Sequence, residues 1–150
     1  MYQVALAILH HIPEGMLVFS SGLMLTRSER PWRLVALLGV VYGLTLTLAR
    51  GLLPLGYHIP VVIAASFALF MWGAQLPLGK AAFAATLTFV IIGMGGVLVS
   101  APVLTALGVE YELALASAPW GLIGAWLEDS LLVAVLLVLL WRQRSLPRKQ

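Results

Sequence analysis

Apolar segments of roughly 20 residues, long enough to cross a bilayer, recur along nearly the whole chain. Backbone polar groups in hydrocarbon must be satisfied within the chain, so such segments are expected to be helical. With 61% hydrophobic and only 10% charged residues over 150, and a mean hydropathy of +1.01, there is too little polar surface to wrap a water-soluble domain of this size. The expected architecture is an all-α, polytopic membrane helix bundle, one transmembrane domain over 1–150, with any chemistry inside the bilayer or at its edges.

Five spans are predicted. The first runs from about Gln3 to Leu25 and ends at the charged patch "TRSERPWR". The second, about Leu34 to Leu55, ends at "LPLGYHIP", where prolines and glycines break a helix. A third covers about Ile59 to Gln75, and its full crossing is the least secure of the five. "LPLG" and Lys80 then turn into a fourth, about Ala81 to Leu104, and "GVEYELALASAP" leads to a fifth, about Pro119 to Trp141. Pro119 suits a first helical turn, with Ser117 near the cap.

Alternating the loops puts Arg27, Arg30, Arg33, Lys80, Arg142, Arg144, Arg148 and Lys149 on one side and leaves Arg50 towards the other. By the positive-inside rule the N-terminus should face out and the C-terminus the cytoplasm of a cell membrane, here bacterial. Trp32, Trp72, Trp120, Trp141, Tyr57 and Tyr111 fall near span ends, as an aromatic belt requires. The net charge of +3 then suits anionic headgroups and not nucleic acid. The first span lacks a positive N-terminal flank and is followed by a basic cluster, so it is expected to stay as a signal anchor. In intact cells, Ser28→Cys and Ser145→Cys should be protected from impermeant thiol reagents while Ala116→Cys reacts. Labelling at 145 without labelling at 116 would reverse the orientation.

The chain has no cysteine, which excludes disulfides, thiolate metal sites and a cysteine-nucleophile membrane peptidase. No His-Glu-x-x-His helix, nucleophile elbow or paired-aspartate motif is present, and the chain is read as non-enzymatic. "GMGG", residues 93 to 96, is read as helix packing, because no basic residue follows at P-loop spacing.

The stretch "LHHIPEGMLVF" interrupts the first apolar run with ionisable groups. Glu14 lies near mid-span and His10 one turn outward on the same face, with His11 beside them; Leu17 and Ser21 continue that face. An ionisable group facing lipid costs on the order of 2.5 kcal/mol or more at the bilayer centre, so the stripe should face protein. In the second span Gly39, Gly43, Thr47 and Arg50 share a face; in the fifth Gly121, Gly124 and Glu128 do, with Asp129 adjacent. Small residues permit close helix approach. A buried polar cluster of His10, Glu14, Arg50 and Glu128, with Asp129 at its edge, is therefore expected, its charges partly cancelling. Such a cluster could serve only to fix register and topology, could relay protons, or could hold a divalent metal such as zinc on His10 and Glu14.

Two resemblances bear on these alternatives. "LHHIPEG" resembles the His-Asn-x-Pro-Glu-Gly motif in a metal-binding helix of the ZIP family of zinc and iron transporters. It implies ligand roles for His10 and Glu14, with His11 in place of the usual Asn; the family's partner His-Glu-x-x-His pattern does not occur here. Over more of the chain, the charged turn after the first span, "LLPLGYH", "LGVEYELALASAPW" and a last apolar helix ending in "WRQR" resemble the membrane sensor region of Firmicute histidine kinases of the accessory-gene-regulator, peptide-sensing type. That likeness implies a membrane sensor or regulatory module without the kinase and without a cofactor, signalling to a membrane or cytoplasmic protein partner or through a homo-oligomer. The alternatives are a small divalent-metal or proton-coupled transporter using His10, His11 and Glu14, and a membrane scaffold subunit.

Overall fold

A computed structural model describes residues 5, 7–54, 56–110 and 119–145. Five helical rods follow one another without a strand among the described residues. Helix α1 is a π-helical turn, Ala7–His11, running into the α-helix Ile12–Leu25. Helix α2 is Trp32–Leu52, and α3 is His58–Ala68 extended by a π turn, Leu69–Gly73. Helix α4 is Leu78–Gly95, a third π turn Gly96–Ser100 and Ala101–Ala106, and α5 is Trp120–Ser145. Three rods, Trp32–Leu52, Leu78–Ala106 and Trp120–Ser145, are long and apolar enough to cross a membrane. Helix α3, His58–Gly73, is shorter; at 1.5 Å per residue it reaches about 24 Å, against a hydrocarbon core of about 30 Å.

Prolines mark the starts. Pro31 and Pro77 sit extended at the N-caps of α2 and α4, where a missing N–H costs nothing. Pro119 stands one residue before α5 and its carbonyl accepts from the N–H groups of Leu122 and Ile123. The proposed cap Ser117, Tyr111 and most of the "LGVEYELALASAPW" segment lie outside the described residues, as do Arg148 and Lys149.

The centre of the bundle is α1, which packs most closely on α2 and also touches α4 and α5; α3 lies against α2 and α4, and α5 lies along α4. Lipid tails are as apolar as leucine, so close packing and not the removal of water must hold such helices together. An aromatic knot supplies part of it. Phe19 stacks tilted on Phe70 at 4.6 Å and meets Tyr42 edge-on at 6.2 Å, and Tyr42 meets Phe89 at 6.4 Å, tying α1 to α2, α3 and α4. Each such pair is worth about 0.5–1.5 kcal/mol beyond area burial. The outer surface is equally apolar: Leu37, Val41, Leu44 and Leu48 form an exposed stripe on α2, the face a lipid solvent requires. Trp32, Tyr57, Trp72 and Trp141 are exposed at helix ends, where an aromatic belt places them.

The charged turn after α1 is tied to the turn between α3 and α4. Arg30 donates from Nε to the Ala74 carbonyl at 2.8 Å, and Lys80 Nζ reaches Ser28 Oγ at 3.5 Å. These basic residues therefore share one end of the bundle, away from Arg50 at the far end of α2.

Candidate metal centre

The site begins with the unusual opening of α1. Pro13 has no N–H to offer the carbonyl one turn back, and the helix widens into the π turn Ala7–His11 just before it. Successive residues of an α-helix diverge by about 100°, yet both His10 and His11 are buried. They face different neighbours: His10 points to α5 and His11 to α2.

His10 stands between two carboxylates. Its Nδ1 lies 3.5 Å from Glu14 Oε2, one turn along α1, and its Nε2 lies 3.0 Å from Asp129 Oδ2 of α5. All three residues are at most 5% exposed. The alignment of these contacts is poor for hydrogen bonding, and the His10 nitrogens, Glu14 Oε2 and Asp129 Oδ2 meet one another as close ion-pair contacts. One ligand atom from each residue lies within 4.8 Å of the others. Ligands about 2.1 Å from a common ion are separated by roughly 3 to 4 Å, so small side-chain rotations would complete the coordination. Ser21, two turns along the same face, is also buried with an unpartnered hydroxyl.

A second layer holds these groups. Tyr42 donates its phenolic hydrogen to Glu14 Oε1 at 3.0 Å, which leaves Oε2 turned to His10. Trp126 packs edge-on against the His10 ring at 5.6 Å and covers it on the α5 side. His11 is fixed differently. Thr47 gives its hydroxyl hydrogen to the Gly43 carbonyl at 2.7 Å, so its oxygen accepts at 2.8 Å from His11 Nδ1, and the Nε2 lone pair of His11 is presented to Arg50 Nη1 at 3.4 Å. Gly43 makes this approach possible: a Cβ there would lie 2.8 Å from the His11 carbonyl oxygen.

The expected faces of α1 and α2 therefore meet, and three placements differ from expectation. The carboxylate that joins His10 and Glu14 is Asp129, whereas Glu128 is half-buried and its main-chain carbonyl abuts Gly95 of α4. The rotation of α5 has a visible cause, since Ser100 of the α4 π turn donates to the Gly124 carbonyl at 3.1 Å. That contact sets the Gly124–Glu128 edge against α4 and leaves Gly121, Ala125, Asp129 and Leu132 as the buried stripe. His11, expected beside His10 and Glu14, is held by Thr47 and Arg50, and Arg50, expected within reach of Glu14 and Glu128, contacts His11. Tyr42 and Trp126 were not anticipated, although a phenol and an indole far from any predicted span end were visible signals.

No family model, curated protein or solved structure matches this chain.

Proposed function

We propose that this chain binds a divalent metal ion inside the membrane on His10, Glu14 and Asp129, as a small metal transporter with its basic loops in the cytoplasm. The observation that carries the reading is the convergence, from helices at opposite ends of the sequence, of three buried ligand residues that each offer one ligand atom within 4.8 Å of the others. Buried polar groups are normally paired, and a cation is the partner that would satisfy all of them together. One imidazole and two carboxylates suit zinc, manganese or ferrous iron, and the absence of thiolates disfavours copper(I). The likeness of residues 9–15 to the ZIP motif supports the same pair, His10 and Glu14, and Asp129 adds a ligand which that motif does not supply.

Purified full-length protein, titrated with zinc and manganese by calorimetry, should bind one ion per chain and unfold at a higher temperature when loaded. His10→Ala should abolish both effects, and liposomes containing the wild-type chain should admit zinc to an entrapped indicator. Binding without uptake would favour the sensor module, with the metal as its signal. A wild-type protein with neither binding nor thermal shift would remove the metal reading and leave the cluster as a device for helix register.

A further inference from the structure

The cluster brings two carboxylates together around His10 in a low-dielectric interior, and among the described residues the permanently charged cation beside it is Arg50, which approaches through His11. The tautomer that Thr47 imposes on His11 makes Nε2 an acceptor, so the neutral histidine is a seat for the guanidinium rather than a fourth metal ligand. The His11 ring in turn lies 5.6 Å from the His10 ring, edge to face. Arg50 itself is exposed, in the last turn of α2.

We propose that Arg50 is a tethered counter-ion that competes with the metal: docked on His11 it balances Glu14 and Asp129 when the site holds no divalent ion, and it is displaced outward when one binds. This rests on the metal-site reading and adds how the same site is regulated. Charge accounting supports it. The two carboxylates and a docked Arg50 sum to one negative charge; a divalent ion added to these makes the sum positive, and departure of Arg50 returns it to zero. Bare charge in a membrane interior is expensive, so entry of the ion and departure of the arginine are linked. A resident cation also limits how tightly the ion is held, which a carrier needs if its cargo is to leave. Because the repulsion scales with the product of charges, it weighs twice as heavily on a divalent ion as on a monovalent one at the same distance.

The test is zinc and manganese titration of the full-length protein in bicelles, comparing wild type, Arg50→Gln and Arg50→Lys. Arg50→Gln should tighten binding on the order of tenfold, and Arg50→Lys, which retains the charge, should stay near wild type. If the wild type binds metal and Arg50→Gln binds equally or more weakly, the competition is overturned while the metal site stands. A metal-free stability cycle of Arg50→Gln with Asp129→Asn supplies a readout independent of metal. Stability of the double variant above the sum of the two single effects supports the counter-ion role, even if the wild type binds no metal; additive effects overturn it and leave Arg50 as an anchor to the outer headgroups.

Discussion

Asp129→Asn should lower zinc and manganese affinity by at least about a hundredfold, while Glu128→Gln changes it by less than about threefold. The two positions are neighbours in sequence and carry the same charge, so the contrast isolates geometry. Asp129 is 1% exposed and its Oδ2 stands 3.0 Å from His10 Nε2, whereas the main chain at Glu128 is turned to α4. Removing the Asp129 charge also removes repulsion with Glu14, since two carboxylates near one another in a poorly solvated interior oppose folding. The metal-free Asp129→Asn protein should therefore be at least as stable as wild type, which separates loss of a ligand from misfolding. Calorimetric titration and metal-free thermal unfolding of both variants make the comparison. Equal losses of affinity at 128 and 129, or a larger loss at 128, would reject Asp129 as the third ligand.

Gly95→Val should destabilise the bundle by about 1–3 kcal/mol or more and weaken metal binding as well, whereas Gly93→Val should do neither. A Cβ at Gly95 would overlap the Glu128 carbonyl oxygen, and backbone cannot step aside as a flexible side chain can. Helices α4 and α5 would have to separate at the level of Asp129, carrying that carboxylate away from His10. Gly93, in the same "GMGG" stretch, has open space where a side chain would go. Chemical or thermal unfolding in detergent measures the first effect, and zinc titration of the folded fraction the second. A Gly95→Val protein with wild-type stability and affinity would contradict the close approach of these helices.

The helices themselves were legible because their signals are local. Uncharged runs, prolines at 31, 77 and 119, and the charged patch after Leu25 set the five rods within a few residues of the predicted spans. The weakness of the third span was legible for the same reason, and His58–Gly73 is the short rod. The inward faces of α1 and α2 could also be read, because His10, Glu14 and Ser21 on one, and Gly39, Gly43 and Thr47 on the other, stand out against apolar neighbours at helical spacing.

The rotation of α5 could not be read in this way. It is apolar nearly all round, and its two acidic residues are adjacent, so neither hydropathy nor spacing selects the one that faces α1. Lipid accepts almost any apolar face. The choice fell to contacts distant in sequence: Gly95 against the Glu128 carbonyl and Ser100 on the Gly124 carbonyl turn α5 until Asp129 points at His10. Local chemistry thus determined which segments are helical and which residue types a site could use. Packing between α4 and α5 decided which carboxylate completes it, because in a bilayer the angle of a uniformly apolar helix is set by what its neighbours allow to come close.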